Sequence, residues 1–518
     1  MILNLRVVGR QLGLLMIVLS VLILCVAAFS LLESMSGWAT ANGEVGALFS
    51  SAAVGLLGGG VLMLIGKSSR QSLGQRDALL LVVLSWIAGA AIAAAPFRIW
   101  ASLRSDAATT PHAFDSYIDC YFEAMSGLST TGATIVSSLS TLPRGLLLWR
   151  AMTHWLGGLG IVVLFVAVLP LLGVGGKRVF KVEAPGPTPD GVTPRIQDTA
   201  RMLWLIYMGL TVVQMVLLRL CGMNWFDSVC HTFATLATGG FSTVDASIVG
   251  FASSAIHVVI IVFMFLAGVN FGLYYQLMQR NWRDVFRDPE LRLYVTIILV
   301  ATAIVTTSLW MTPPAYTQDL APDQAPPGFL ITVRDALFQV VAIQTTTGFC
   351  SADFDQWGFA AKATLLALMF VGGSAGSTGG GIKVVRILIV FKVIISELEH
   401  VYRRHVVRHV RIGRTSIDPE LKISTLVYVL SVVILFAGGT IVLHAIEAPR
   451  GSDFVSSATA VAASLNNIGP GLNKVGATQN YAWFSGTSKL LLSGLMLLGR
   501  LEVFAIVVLF SPRFWKGE

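Results

Sequence analysis

Charged residues are scarce in this sequence. Aspartate, glutamate, lysine and arginine make up 12% of the 518 residues, whereas about 25% is usual for a soluble domain. Hydrophobic residues make up 55%. Such a chain has too few polar side chains to cover a globule in water, so its composition excludes a soluble protein and indicates an integral membrane protein.

Long hydrophilic segments are also absent. Once the short apolar segments are set aside together with the long ones, no loop exceeds about 30 residues, which leaves no room for a soluble catalytic or nucleotide-binding domain. We therefore expect no cofactor on this chain, and an energy source or a regulator would have to be another chain.

Residues that form disulfides, metal sites or active sites are few and scattered. The cysteines have neither metal-site spacing nor the pattern of a disulfide framework, and we interpret them as free thiols: Cys25, Cys120, Cys221, Cys230 and Cys350. An intramembrane enzyme that uses His154, His231 or Ser377 is a remote alternative, because no grouping of His, Ser and Asp supports it.

Apolar stretches, by contrast, are abundant. Those long enough to cross the hydrocarbon core, about 20 residues each, lie at 11–32, 45–66, 78–98, 149–173, 202–222, 255–278, 291–311, 362–396, 423–446 and 484–511. This predicts ten membrane spans, the eighth of them interrupted.

Basic residues predict the orientation of the spans. They are concentrated in alternate loops, which are expected to be cytoplasmic: Lys67, Arg70, Arg76, Lys177, Arg178, Lys181, Arg280, Arg283, Arg287, Arg403, Arg404, Arg408, Arg411, Arg414, Arg513 and Lys516. The opposite loops carry acidic residues, including Glu33, Glu44, Asp319 and Asp323. Both termini are therefore predicted to be cytoplasmic. This bias accounts for the net charge of +8, so we expect no nucleic-acid partner.

Four segments between spans are too short to cross the membrane and share a pattern. They read DCYFEAMSGLSTTGAT (119–134), DSVCHTFATLATGGFS (227–242), DALFQVVAIQTTTGFC (335–350) and DFVSSATAVAASLNNIGPG (453–471). Aligned glycines recur at near-equal intervals, as Gly132, Gly239, Gly348 and Gly469. The repeated unit predicts four pseudo-symmetric repeats, each a helix, a half-length helix with a glycine turn, and a second helix.

Membrane physics restricts where such turns can lie. Non-helical backbone at membrane depth must be buried in protein or line a wet cavity, so four converging turns predict a central pore. Each half-length helix, capped by its initial aspartate, would point its negative C-terminal end at the axis. Glycine permits the backbone to turn successive carbonyls inward, where rings of four replace the hydration shell of potassium.

The stretch GGSAGSTGGGIK (372–383) interrupts the eighth span. Its spacing does not fit a phosphate-binding Walker loop, which requires Gly-Lys-Ser/Thr after the four intervening residues. Together with the four turns, HWLGGLGIVVL (154–164) and LLGRLEVF (497–504), this stretch resembles the Trk/Ktr/HKT superfamily of potassium transporters, most closely its bacterial TrkH type.

The resemblance implies an all-α integral membrane protein of the bacterial cytoplasmic (inner) membrane, with two additional N-terminal helices. The expected units are 1–75 (that pair), 76–176, 177–280, 281–400 (which contains the loop 372–383) and 401–518. The implied function is potassium uptake, and glycine at position 132 favours potassium because some sodium-selective relatives have serine there.

The resemblance also implies the site residues. K+ would bind backbone carbonyls of a selectivity filter formed by Thr130, Thr131, Gly132, Ala237, Thr238, Gly239, Thr346, Thr347, Gly348, Asn467, Ile468 and Gly469. A gate would comprise Gly372, Gly373, Gly376, Ser377, Thr378, Gly379, Gly380, Gly381, Lys383 and Arg500. Alternatives are a structural pair of Arg500 with Glu502 and an interfacial anchor at Lys383. The amide-rich fourth turn implies an asymmetric pore.

TrkH-type proteins are homodimers that bind a cytosolic TrkA-type ring, and NAD(H) or adenine nucleotide is expected only on that partner. The basic segment from His400 to Arg414 is a candidate docking site, although positive-inside charge explains it equally well. Proton- or sodium-coupled symport is an alternative, for which Asp119 and Glu123 are the candidate titratable groups. A subunit of an ATP-driven potassium pump would also have four filter turns.

Overall fold

The computed structural model describes residues 3–35, 43–67, 74–104, 111–158, 160, 196–312, 328–403, 411–412, 415–417 and 419–516. Several sequence predictions fall outside these ranges: much of the span 149–173 and of the motif 154–164, the unit boundary at 176–177, part of the segment His400 to Arg414, and the individual residues Arg70, Lys177, Arg178, Lys181, Asp319, Asp323, Arg404, Arg408 and Arg414.

Two long apolar helices lead the chain, α1 (Leu5–Met35) and α2 (Glu44–Ile65). They pack tightly where glycines face each other. A Cβ added at Gly13 would lie 2.6 Å from the carbonyl oxygen of Gly59. Small residues allow two membrane helices to approach this closely, and the resulting van der Waals contacts favour their association.

Four helical repeats follow this pair. In chain order the helices are α3 (Gln75–Ala93), α4 (Ala95–Leu103), α5 (Tyr117–Leu128), α6 (Arg144–Gly158), α7 (Ile196–Leu220), α8 (Trp225–Leu236), α9 (Ser254–Ala267), α10 (Phe271–Met278), α11 (Trp282–Arg287), α12 (Pro289–Met311), α13 (Phe329–Gln344), α14 (Phe359–Leu368), α15 (Val384–Tyr402), α16 (Pro419–Glu447), α17 (Phe454–Leu465), α18 (Gly486–Arg500), α19 (Phe504–Val507) and α20 (Pro512–Lys516). The half-helices, one in each repeat, are α5, α8, α13 and α17.

Strands are confined to a short hairpin in the described part of the chain. β1 (Arg411–Ile412) pairs antiparallel with β2 (Thr415–Ser416), with Arg411 opposite Ser416. The expectation of a helical membrane protein with four repeats is confirmed.

The spans agree with the apolar stretches of the sequence. Among the described residues six helices are long and apolar enough to cross a membrane, or eight if each of two bent pairs is one span. Helices α9 and α10 bend by 93°, and α18 bends by 111° at residues 501–503 before its continuation Phe504–Phe510. The interrupted eighth span is two helices, α14 and α15, separated by the glycine-rich stretch.

The half-helices begin differently from the prediction that an initial aspartate caps each of them. Only Asp453 is an N-cap, accepting a hydrogen bond from the Ser456 N–H at 3.3 Å. Asn224 caps α8, so that Asp227 lies in its first turn, as Asp119 does in α5. Asp335 lies well inside α13. An acidic residue in the first turn still favours the positive end of the helix, without being its cap.

Candidate ion pathway

The four half-helices end in the same unusual turn. At the first residue past the C-cap of each helix the backbone is left-handed, with φ of 55° at Thr130, 54° at Thr238, 60° at Thr346 and 55° at Asn467. Asparagine tolerates this region, but β-branched threonine rarely enters it. Three strained threonines at equivalent positions mark a place where the surrounding structure imposes the backbone.

Hydrogen bonds confirm that the four turns are equivalent. The next residue donates its N–H to the carbonyl five positions earlier, at 2.8–2.9 Å in every repeat: Thr131 to Ser126, Gly239 to Ala234, Thr347 to Ala342 and Ile468 to Ala463. This is the Schellman pattern that ends many helices. It fixes the direction in which the chain leaves each half-helix.

The glycines that follow meet in a closed ring. A Cβ added to any one of them would overlap a backbone carbonyl of the next repeat, and the fourth returns to the first: Gly132 against Gly239, Gly240 against Thr347, Gly348 against Ile468, and Gly469 against Thr131. We call Gly132, Gly240, Gly348 and Gly469 the glycine ring. The four turns therefore surround one axis.

This geometry corrects the alignment of the second turn by one residue. Gly240, with φ of 78°, is the ring glycine, and Gly239 corresponds to Thr131. Ala237, expected in the filter, is the right-handed C-cap of α8. Two adjacent glycines made the local pattern ambiguous. The offset from Asp227, equal to those from Asp119 to Gly132 and from Asp335 to Gly348, was the signal that points to Gly240.

A vestibule opens on the side of the ring where the chain continues. Its cavity, about 120 Å³, is lined by all four ring glycines together with Arg150, Asp245 and Tyr481. Loops past the ring are linked in the same cyclic order: Leu139 N–H to Asp245 (2.6 Å), Cys350 N–H to Ser247 Oγ (3.2 Å), Asn473 N–H to Asp355 (3.0 Å) and Tyr481 N–H to Thr134 O (2.8 Å). Burial raises the pKa of the Asp355 carboxyl above its ordinary value.

The fourth turn differs from the other three in its side-chain contacts. Asn467 donates from its amide to Thr131 Oγ1 at 3.1 Å and to the Met496 carbonyl at 2.9 Å. Tyr481 donates its hydroxyl to the carbonyl of the ring glycine Gly469 at 2.8 Å. The carbonyl of the ring glycine Gly348 accepts a longer hydrogen bond, from Cys350 Sγ at 3.8 Å.

The glycine-rich loop, residues 372–383, lies against the opposite side of the ring. The Gly380 N–H donates to Thr346 Oγ1 at 2.7 Å, and Thr378 Oγ1 donates to the Leu236 carbonyl at 2.9 Å. A Cβ at Gly380 would lie 2.6 Å from the Asn466 carbonyl oxygen. The loop therefore contacts the ends of half-helices two, three and four.

Two elements outside the loop hold its shape. Glu290, at the start of α12, accepts hydrogen bonds from Ala375 N–H at 2.7 Å and Val385 N–H at 3.1 Å. It therefore joins the first half of the glycine-rich loop to α15, the helix that follows the loop. At the break between α9 and α10, Gly268 O accepts from Ser374 N–H at 2.8 Å. Sequence reasoning missed Glu290, because an acidic residue at a helix start is already explained by the helix dipole.

Arg500 joins the loop to the first repeat. Its guanidinium donates to the carbonyls of Thr378 at 3.0 Å and Gly158 at 3.1 Å, and also to that of Gly157. The alternative pairing with Glu502 is wrong, because Glu502 pairs with Arg386 at 2.5 Å. A charge inside a membrane span is costly and is retained where it has such partners.

The chain that has these four cyclic turns, this interrupted helix and the half-buried Arg500 is similar to known proteins. A family model described as TrkH, cation transport protein, matches residues 47–516. The chain belongs to the TrkH family.

Two relatives carry the name Trk system potassium uptake protein TrkH. The Escherichia coli (strain K12) protein is 37% identical over 465 residues, covering 89% of this chain and 91% of that protein. The Halomonas elongata protein is 37% identical over 515 residues, covering 99% and 100%. The crystal structure of the potassium transporter TrkH from Vibrio parahaemolyticus matches with a TM-score of 0.82 at 32% identity, covering 99% of this chain and 100% of that one. The relatives are named as transport proteins rather than enzymes.

In this TrkH family member the side chain of Lys383, the last residue of the glycine-rich loop, folds back onto the loop. The residue is buried, and its ammonium group donates to the Gly379 carbonyl. The interpretation of Lys383 as an interfacial anchor is therefore wrong, because its charged end is buried against the loop itself.

The remaining candidate groups of this TrkH family member have partners elsewhere. Asp119 pairs with Lys489 at 2.7 Å, and Glu123 pairs with Arg150 at 2.5 Å. His154 stacks on Phe241, His231 contacts Ser242 Oγ, and Ser377 donates to Ser374 O. Across the described ranges no three His, Cys, Asp or Glu side chains lie together as they would around a transition metal.

Proposed function

We propose that this TrkH family member takes up potassium through the glycine ring, which acts as its selectivity filter. The observation that carries the proposal is the closed cycle of the glycine ring. Each ring glycine lies against the carbonyl of the residue that comes just before the ring glycine of the next repeat. The relatives' names support potassium as the ion.

In this proposal K+ is the substrate and backbone oxygens are its ligands. The carbonyls at Thr130–Gly132, Thr238–Gly240, Thr346–Gly348 and Asn467–Gly469 take the place of water around the dehydrated ion. The C-terminal ends of the half-helices, which carry partial negative charge, favour a cation at the axis. The left-handed turns set the direction of these carbonyls before any ion arrives.

The glycine-rich loop and Arg500 act as the gate. The loop lies directly against the ring, and Arg500 places a positive charge beside the same path while holding the Thr378 carbonyl. A cation leaving the ring meets both. Movement of Gly372–Lys383 away from half-helices two to four would open the path, since glycine and small hydroxylated residues can change conformation with little steric hindrance.

The membrane potential drives uptake in this proposal, at about 2.3 kcal/mol per charge per 100 mV. Proton- or sodium-coupled symport remains the alternative. Its two candidate carboxylates, Asp119 and Glu123, are both in ion pairs, and nothing in their surroundings favours a coupling role.

We also propose a bacterial inner-membrane location with both termini in the cytoplasm, a homodimer, and a TrkA-type regulatory ring that carries NAD(H) or adenine nucleotide. The relatives' name, Trk system, supports further components. The segment from His400 to Arg414 remains the predicted docking site, and the five-unit division of the chain remains a prediction.

Uptake of radioactive rubidium into proteoliposomes with a negative-inside potential tests the proposed function. Wild type should accumulate rubidium and potassium should compete. Gly132→Ser, whose side chain would overlap the Gly239 carbonyl, should lower uptake strongly and weaken the preference for potassium over sodium in the uptake that remains. Uptake that requires an imposed proton or sodium gradient would instead establish symport. Absence of uptake with the cytosolic partner present would overturn the assignment.

A further inference from the structure

A buried ion pair lies directly behind the glycine ring. The Glu123 carboxylate, on half-helix one, accepts a hydrogen bond from Arg150 Nε on α6 at 2.5 Å, and both side chains are at most 3% exposed. A charged pair in such surroundings is sensitive to the loss of either member, because the other is left as an unpaired buried charge.

Glu123 holds the chain of the first repeat just past its ring glycine. Its second carboxylate oxygen accepts the Ile135 N–H at 2.9 Å, and its first also accepts Thr134 Oγ1–H at 3.0 Å. These residues follow Gly132 by two and three positions. The carboxylate therefore ties the departing backbone of turn one to its own half-helix.

Arg150 extends the connection to the second repeat. Its Nη1 donates to the Ser242 carbonyl at 3.0 Å, and its guanidinium carbon lies 3.5 Å from the centroid of the Phe241 ring. Phe241 and Ser242 directly follow the ring glycine Gly240. The guanidinium group that pairs with Glu123 therefore also holds turn two, by a charge-assisted hydrogen bond and a cation–π contact.

The other repeats use neutral groups for the corresponding contact. His231 Nε2 lies 3.0 Å from Ser242 Oγ, Gln339 Oε1 accepts Ser351 N–H at 3.1 Å, and Thr459 Oγ1 accepts Leu472 N–H at 3.0 Å. In the described part of the chain, only the first repeat makes this contact with a pair of full charges.

We propose that Glu123 and Arg150 are positioning residues for cation selection, an inference that rests on the proposed filter function. They clamp turns one and two, where Gly132 lies against the Gly239 carbonyl. Held apart at a fixed distance, the carbonyls of these turns suit potassium. When the clamp is removed the two turns are free to shift, and the fixed carbonyl spacing that disfavours the smaller sodium ion is lost.

Competition of potassium and sodium against rubidium uptake tests this inference in the full-length protein. Glu123→Gln and Arg150→Gln should each lower the potassium-over-sodium preference about tenfold, which corresponds to about 1.4 kcal/mol. The double variant should be no worse than either single one, because the pair acts as a unit. Arg150→Lys, which keeps the charge but loses the fork that reaches Ser242, should be intermediate.

Arg334→Gln is the matched control, since its pair with Asp335 at 2.8 Å lies within half-helix three and has no contact with the ring. Its preference should equal that of wild type. A purely structural role for Glu123 would reduce the yield of monodisperse protein while leaving the ion preference of that protein unchanged, and this result would overturn the inference.

If Glu123→Gln yields no folded protein, Glu123→Asp provides the same comparison, because it keeps the charge and shortens the reach to Arg150. An unchanged preference in Glu123→Asp and Arg150→Lys together would also overturn the inference. Failure of the proposed function is distinguished by the wild type itself, which would then show no potential-driven uptake.

Discussion

The ring and the glycine-rich loop both depend on glycine, but they are held in place by different contacts. Each ring glycine has positive φ and lies against a backbone carbonyl of the neighbouring repeat. The loop is hydrogen-bonded to half-helix three, α12 and α18 through side chains, namely Thr346, Glu290 and Arg500. Its backbone is hydrogen-bonded to the break between α9 and α10, as in the bond from Ser374 N–H to Gly268 O. Backbone contacts cannot be released without moving whole half-helices, whereas a side chain can exchange partners. This contrast supports the proposal that the ring is a fixed filter and the loop a movable gate.

The strongest test of this comparison is Gly240→Ala. The added methyl group would overlap the Thr347 carbonyl, and the residue would have to keep a φ of 78°, which alanine rarely adopts. We expect rubidium uptake to fall to background in proteoliposomes. Because the clash displaces the third turn, residual uptake should also lose its preference for potassium.

Gly438→Ala is the control for this variant. Gly438 lies in the long helix α16, where a Cβ would meet no atom within 4 Å, so uptake should be unchanged. Normal, potassium-selective uptake by Gly240→Ala would show that the ring tolerates a side chain, and would contradict the assignment of Gly240 over Gly239.

The sequence predicted much of the ring and little of what holds the loop. Repeated half-helices and glycines are local patterns, so the ring glycines of turns one, three and four could be placed from the sequence. The ring glycine of turn two was placed one position too early, because Gly239 and Gly240 are adjacent. The Asp227 cap was wrong for a similar reason, since Asn224 is an equally good cap.

Contacts between distant parts of the chain left no local pattern. Arg500 reaches Gly158 across 342 positions, and Glu290 reaches Ala375 across 85. Glu123 and Arg150 each have an ordinary explanation when considered alone, as a half-helix residue and as a charge in a helix. Only the packing of α5 against α6 within the first repeat reveals that they form a pair behind the ring.

Arg500→Ala tests the loop with a smaller expected effect. The variant removes hydrogen bonds from a charged donor, worth about 1.5–3 kcal/mol each, together with a positive charge beside the path. Basal rubidium flux without activating ligand should rise about tenfold. The potassium-over-sodium preference should stay at the wild-type value, because the ring is untouched.

Arg500→Lys separates the two contributions of the arginine. Lysine keeps the charge, but its single ammonium group does not span the carbonyls of Thr378 and Gly158 as the guanidinium fork does. Flux close to wild type in Arg500→Lys would assign the effect to charge, and flux as high as in Arg500→Ala would assign it to the hydrogen bonds. Unchanged flux in Arg500→Ala would reject a gating role.

Glu290→Ala should have the smallest effect of the three. The substitution removes the carboxylate that accepts hydrogen bonds from Ala375 N–H and Val385 N–H. The loop keeps its contacts with Arg500 and Thr346, and the positive charge of Arg500 stays beside the proposed ion path. Basal flux should rise about threefold, less than the tenfold of one 1.4 kcal/mol step, with potassium preference unchanged. Glu290→Gln keeps the accepting oxygen and should remain close to wild type. A loss of potassium preference in Glu290→Ala would contradict the comparison, because it would mean that the loop shapes the ring as well as lying against it.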